Sequence, residues 1–386
     1  MNRFAVLLIH LTLLGSLAQA KDEKPQNAPE QPAVKRPKVA VLVFPGVELL
    51  DFAGPSEAFA GATDEHDEEA FEVYTVGLTE EPVPSLSVVE VKPTYTVSKA
   101  PAPDILVIPG GNVVPVMDDE NAMKWIEGLS QSKCIVFTVC NGASVAAKLG
   151  LLEGRSVTTH HSNMRILRLL DPKTSPRSDC RYVDHGKVIT AAGVSAGIDA
   201  ALYLIARTQG FDVAQRTATG MEYEHWVGFQ SKDLALPSPD SHGVTSQPSR
   251  EFKDDYSWYV LTLIEMIREK GMDAAVAAYP EMLEKTSGHE KEMIAEPGLT
   301  ETAMWFLKHS RDQSVGLETL RFITLTHPTS STAFAKYSEG LLLCERPEQA
   351  IEALKKACEL SPENKELTEK RDELISKQGS SIKAIP

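Results

Sequence analysis

The stretch Ile135-Val-Phe-Thr-Val-Cys140-Asn141-Gly142-Ala143, with the helical run that follows to Leu151, decides how this chain is read. Five apolar or β-branched residues in succession suit a strand buried on both faces. The chain must then turn at once into a helix spanning Gly142–Leu151. A side chain on so sharp a strand-to-helix turn stands exposed at the carboxyl end of a sheet, in the manner of a nucleophile elbow with Cys in place of Ser. The helix N-terminus just beyond favours negative charge, so the expectation is a thiolate at Cys140. An inert buried thiol is the alternative that this local pattern leaves open.

Working outward, the same texture repeats. Val39–Phe44, Phe71–Val76, Ile105–Pro109, Cys134–Val139 and Val188–Ala192 are strand-like, and Ser87–Val97 alternates as a further strand. Leu49–Ala62, Ala122–Ser130, Gly142–Leu151 and Ile198–Gln209 have helical spacing. Strands alternating with helices predict a doubly wound parallel sheet covered on both faces, a flavodoxin-like α/β domain over residues 38–230. Residues 231–250 hold Pro237, Pro239, Gly243 and Pro248 among Ser, Asp and Thr, and read as a linker. Beyond it, over 251–386, the strand signal vanishes and Tyr256–Gly271, Met272–Lys285, Thr300–His309, Val315–Thr326, Ser331–Cys344, Pro347–Leu360 and Lys365–Gln378 read as helices. Here Pro328 recurs at Pro362, Gly316 at Ala350, Leu317 at Ile351 and Leu320 at Leu354, a 34-residue period. Small residues where helices cross, with Pro closing the second helix, are what a helix-turn-helix repeat requires. The segment 347–362 resembles the second helix of a tetratricopeptide unit, and Met272–Tyr279 a more divergent copy. An irregular helical bundle is the rival. The repeats are expected to fold as a unit separable at the linker.

The first twenty residues, with Arg3, the apolar run Phe4–Gly15 and Ala18-Gln19-Ala20, read as a secretory signal, and the polar, Pro-rich residues 21–37 as a tether. The mature chain would then be secreted or periplasmic, off the membrane. Lys and Arg total 39 against 54 Asp and Glu, a formal charge of -15. Without a basic cluster to offset this, nucleic acid is a poor partner. Five cysteines with no C-x-x-C spacing imply neither a disulfide framework nor a zinc site, and the scattered histidines form no ligand pattern. No metal or other cofactor is expected.

Three further segments carry chemistry with Cys140: Val43-Phe-Pro-Gly46-Val-Glu-Leu-Leu-Asp51-Phe-Ala-Gly54-Pro55, Ile108-Pro109-Gly110-Gly111-Asn112, and Gly154-Arg-Ser-Val-Thr-Thr-His160-His161. With Ile189-Thr-Ala-Ala-Gly193-Val-Ser-Ala-Gly197-Ile-Asp199 and Met221-Glu222-Tyr223, they make residues 38 to about 230 resemble the ThiJ/PfpI family of the class I glutamine-amidotransferase-like fold, in particular isonitrile hydratases and the amidase-like domains of AraC-type regulators. The resemblance implies Cys140 as nucleophile, Asp51 as the acid that touches the thiol, His160 nearby, and the backbone N–H groups of Gly111 and Asn141 as an oxyanion site. A protonated Asp51 facing a thiolate is the expected charge state. Asn141 departs from the His of peptidase-like members and from the Thr usual in isonitrile hydratases, so the resemblance implies a small-molecule hydrolase or lyase rather than a peptidase. Gly193-Val-Ser195-Ala-Gly197 also fits G-x-S-x-G, a rival serine site for which Asp212 with His225 or His242 would be the partners. Two non-enzymatic rivals stay open: a scaffold whose repeats hold a protein or peptide, and redox sensing through Cys140. A homodimer is compatible with all of these.

The signal reading is testable directly. N-terminal sequencing of protein from the native host is expected to begin at or near Lys21, and soluble cytoplasmic protein retaining Met1 would overturn it.

Overall fold

The computed structural model describes residues 36–223, 226 and 258–382, the side chains of Trp258 and of residues 378–382 excepted. The signal segment, the tether up to Lys35, the linker, His225 and His242 lie outside the described residues.

Seven strands form one sheet: β1 (Lys38–Val43), β2 (Glu72–Gly77), β3 (Tyr95–Thr96), β4 (Ile105–Ile108), β5 (Ile135–Val139), β6 (Tyr182–Asp184) and β7 (Val188–Ala191). Their order is β6-β7-β5-β4-β1-β2-β3, with every pairing parallel except that of β6 with β7. The central strands are apolar along their length because both faces are covered: β4 is wholly buried and β1 is buried from Val39 onward. The expected strand over Ser87–Val97 is broken. Glu90–Val91 pairs instead with Val83–Pro84 as a small hairpin, and only Tyr95–Thr96 reaches the sheet. Pro93 lies in the break and packs on Gly77; having no N–H, proline cannot continue a ladder. Strand β6 escaped notice because three residues between polar turns carry no readable period.

Helices α1 (Leu49–Ala60), α2 (Val114–Asp118), α3 (Glu120–Gln131), α4 (Ala143–Lys148), α5 (Met164–Leu170), α6 (Ala196–Gln209) and α7 (Phe211–Gly220) complete the α/β half. The strand order turns back between β1 and β4. At such a switch point the connections diverge to opposite faces and leave a crevice at the carboxyl edge. The loops after β1, β4, β5 and β7, which are neighbours in the sheet, all open on that edge.

The second half contains α8 (Trp258–Lys270), α9 (Met272–Lys285), α10 (Gly288–Ile294), α11 (Glu296–His309), α12 (Ser314–Thr326), α13 (Ser331–Leu343), α14 (Pro347–Leu360) and α15 (Lys365–Ile382). From α10 onward, consecutive helices pack on one another, as helical repeats do, and α8 packs on α9. Gly316 sits where α12 crosses α11, so close that an added Cβ would lie 2.4 Å from the Ala303 carbonyl oxygen. Its counterpart in the period, Ala350, sits where α14 meets α13 and accepts a hydrogen bond from Ser338 Oγ at 2.7 Å. The 34-residue period therefore marks real helix crossings.

The helical half does not stand apart as the linker suggested. One core cluster joins Ala143, Ala146, Leu167, Leu170 and Val188 of the α/β half to Ile264, Phe306, Leu307 and Ile323 of the helical half. Residues from Arg36 onward form a single compact unit. Polar contacts follow the same seam. Arg165 forks onto Glu265 at 3.0 and 2.7 Å, the Arg311 N–H donates to the Leu170 carbonyl at 3.0 Å, and His309 meets Asp118 at 2.8 Å. A repeat array exposes apolar flanks that must be covered, and here the α4–α5 face covers one.

Phe306→Ala removes a ring buried in that shared core. It is expected to cost about 3–5 kcal/mol and to accelerate amide hydrogen exchange in α4 and α5 as well as in α11. Exchange confined to the helical half would show that the halves unfold independently.

Candidate functional site

Cys140 directly follows β5 with φ 59°, in the left-handed region that L-residues seldom occupy. A 3-10 turn over Cys140–Gly142 follows, and then α4. The turn closes tightly: at Gly142 a Cβ would lie 2.2 Å from the Ile108 carbonyl oxygen. The Cys140 N–H donates to the Ala192 carbonyl at 2.6 Å. The expected elbow is therefore present, its strain held by neighbouring strand ends.

Asp51, in the first turn of α1, is fully buried. It does not serve the helix dipole from the surface. Its Oδ2 accepts the Gly110 N–H at 2.9 Å and its Oδ1 the Val194 N–H at 3.0 Å. The Cys140 thiol supplies a third hydrogen bond. Gly110 admits this meeting: a Cβ there would lie 2.7 Å from both Asp51 Oδ2 and Cys140 Cβ. Val194 is a β-branched residue at φ 53°, a strained conformation that aims its N–H at the carboxylate. Val194 is not among the expected site residues; its segment stands in the sequence as the rival Gly193-Val-Ser195-Ala-Gly197 motif and as part of the family resemblance. A β-branched residue directly after Gly193, between a strand and a helix, was the signal available.

The charge state differs from the expectation. Burial pushes the Asp51 carboxyl up to about 6. Burial first, and the Asp51 charge second, push the Cys140 thiol above its ordinary range, although the Asn141 N–H opposes this by donating to the sulfur. Near neutral pH the proton rests on sulfur and the carboxylate accepts it. Helix α4 spans only Ala143–Lys148, too short a dipole to outweigh desolvation.

The other expected site residues divide. The Gly111 N–H donates to Asn141 Oδ1 at 2.8 Å and Asn141 Nδ2 donates back to the Gly111 carbonyl at 2.9 Å. This reciprocal pair occupies the Gly111 amide, so of the two expected oxyanion donors the Asn141 N–H is the one left to face the sulfur. It also turns the Asn141 side chain away from any role as base. His160 lies on the rim. Its ring lies so close to Gly193 that a Cβ there would be 2.2 Å from His160 Cδ2. Its Nδ1 meets Ser162 Oγ at 2.8 Å, and burial lowers its pKa, keeping it neutral. Among the described residues no hydrogen bond joins His160 to Cys140. Ser195, the rival nucleophile, accepts from Arg181 at 3.0 Å. Arg181 also pairs with Asp199 at 2.5 Å, and among the described residues no histidine is hydrogen-bonded to Ser195.

A strained cysteine at the carboxyl edge of a doubly wound sheet, bonded to a buried carboxylate, defines a cysteine-elbow α/β protein. Comparison with known proteins gives the family. The DJ-1/PfpI family matches residues 37–207. Isonitrile hydratase of Pseudomonas putida is 34% identical over 195 residues, covering 50% of this chain and 82% of that protein. Among solved structures, a ThiJ/PfpI family protein from Pseudomonas syringae is similar with TM-score 0.45 and 23% identity, covering 66% of this chain and 98% of that one. Drosophila melanogaster DJ-1beta follows with TM-score 0.44 and 22% identity, covering 49% and 98%. The chain belongs to the DJ-1/PfpI family.

The Cys140–Asp51 pair yields a pH prediction with a defined sign. The folded protein binds the Asp51 proton more tightly than the unfolded chain does, since its pKa rises from 3.8 to about 6. That contribution to stability is complete below about pH 4 and is lost as pH rises through about 6. Between those limits, wild type is expected to lose on the order of 3 kcal/mol relative to Asp51→Asn in denaturation series. Removing the charge also frees the thiol, so Cys140 in Asp51→Asn is expected to alkylate at lower pH than in wild type. Superimposable alkylation profiles would show the two groups to be uncoupled.

Proposed function

We propose that the α/β half hydrates a small molecule at an electrophilic carbon, with Cys140 as nucleophile, Asp51 as proton carrier and an isonitrile as the reference substrate class. The observation that carries this reading is the hydrogen-bonded, buried thiol–carboxylate pair at the switch-point crevice. A carboxyl poised at about 6 can both take and return a proton near neutrality. Because burial holds the proton on sulfur, attack is coupled to its transfer. The Cys140 sulfur bonds to the terminal carbon of R–N≡C while its proton passes to Asp51 and then to that carbon, giving R–N=CH–S–Cys140. Water adds to the same carbon and the nitrogen is protonated. The carbon–sulfur bond then breaks, sulfur recovers a proton through Asp51, and R–NH–CHO leaves. One water is consumed and nothing is oxidised or reduced. The Asn141 N–H, aimed at the sulfur, stabilises the charge that develops there.

Support for this chemistry over peptide cleavage comes from Asn141, which is locked to Gly111 where peptidase-like members carry a His, leaving the Asp51 carboxylate as the proton acceptor at the thiol. A second reading, of a scaffold, is favoured by a groove of about 650 Å³ in the helical half, lined by Lys336, Leu342, Asn364, Leu367 and Leu374 among others. Under that reading, tetratricopeptide-like repeats of an exported protein hold a peptide, and the cysteine site is secondary.

Incubation with aliphatic isonitriles, with formamide followed by NMR, tests the first reading. Turnover is expected in wild type, with a loss of at least about a thousandfold in Cys140→Ala and a large loss in Asp51→Asn despite its more reactive thiol. Wild type inert toward isonitriles, with peptides bound in the helical groove, would favour the scaffold.

A further inference from the structure

A buried polar cluster lies beneath Cys140, and neither the thiol–carboxylate pair nor the sheet requires it. Thr159 is wholly buried, and its Oγ1 donates to the Cys140 carbonyl at 2.7 Å. Asn163 Nδ2 donates to Thr159 Oγ1 at 3.0 Å and to Ser144 Oγ at 3.1 Å. Ser144 and Asn163 are also buried. Both N–H bonds of the Asn163 amide are thereby used, and one of them enters the Thr159 oxygen. The single hydroxyl hydrogen of Thr159 is left to point at Cys140.

The consequence follows from peptide planarity. The Cys140 carbonyl and the Asn141 N–H belong to one trans peptide unit and point in opposite directions. Holding the carbonyl oxygen on one side fixes where the N–H aims on the other, and it aims at the Cys140 sulfur. The Ala143 N–H also reaches the Cys140 carbonyl within the turn, but it is part of the same local coil and would rotate with it. Thr159 lies outside the turn, on the loop that follows the elbow helix, and supplies an external anchor. A residue at φ 59° has little intrinsic reason to stay there.

We propose that Thr159, oriented by Asn163 and Ser144, is the positioning residue that sets the Cys140–Asn141 peptide plane and thereby keeps the Asn141 N–H on the sulfur. It touches neither thiol nor substrate and acts only through that peptide. The proposal concerns the same site as the hydration reading, but it requires only that Cys140 be a tuned thiol.

The test therefore uses no substrate. The pH profile of Cys140 alkylation by iodoacetamide, read by mass spectrometry on the full chain, is compared with thermal stability. Thr159→Val keeps the shape and removes the hydroxyl. It is expected to move the thiol titration to higher pH and slow alkylation about tenfold at fixed pH, the effect of one lost buried hydrogen bond. Thr159→Ser is expected to restore the wild-type profile to within about twofold. Asn163→Asp, nearly isosteric, replaces a donor with an acceptor and draws the Thr159 hydrogen away from Cys140, so it is expected to resemble Thr159→Val. If Thr159→Val does not fold, Asn163→Asp against Thr159→Ser still decides. Lower melting temperatures with unchanged alkylation profiles in Thr159→Val and Asn163→Asp would overturn the proposal and leave the cluster a packing element. Absence of turnover on isonitriles would count against the hydration reading alone.

Discussion

The structure around the site depends on one buried carboxylate. Asp51 gathers the Gly110 N–H, the Val194 N–H and the Cys140 thiol, and these groups come from the loops after three different strands. Burying a carboxylate is expensive unless its lone pairs are satisfied. Each loop must therefore deliver its donor, and two of them do so with non-glycine residues in left-handed backbone. Strain at Cys140 and Val194 and desolvation at Asp51 are parts of one arrangement, each tolerated because the sheet holds the strand ends in register.

That arrangement explains why the thiol is not simply activated. A helix dipole and an N–H favour the anion, while burial and the neighbouring carboxylate oppose it. The outcome is a protonated sulfur beside a base that can remove its proton, which suits chemistry where bond formation and proton transfer proceed together. It suits less well a permanently ionised cysteine. The low-dielectric surroundings that raise both groups also make each hydrogen bond among them count for more.

The helical half bears on the same elements. It covers α4, which starts at the elbow, and α5, which continues from the loop carrying Thr159 and His160, and it contacts Asp118 at the end of α2, just beyond Gly111 and Asn112. Repeats need a capped flank and the elbow helices need a cover, so one interface meets both needs. The site and the repeats consequently share one compact unit and one stretch of core.

Much of this was legible in the amino-acid order. The buried strands, the elbow at Cys140 and the 34-residue period all lie in local patterns of apolarity, glycine and proline, which act over a few residues and so are written in the sequence, whereas the place of Asp51 beside the thiol was implied only by the family resemblance. Other features had no local signature. That the Gly111 amide is taken by the Asn141 side chain, that His160 rests on Gly193 rather than on the thiol, and that the proton stays on sulfur depend on which groups meet and how much water they lose. So does the fusion of the two halves, since Phe306 and Leu170 read alike whether they meet each other or separate cores. Local propensity determines the elements; only the tertiary structure sets the dielectric and the competition among donors, because both are properties of the space between segments distant in the chain.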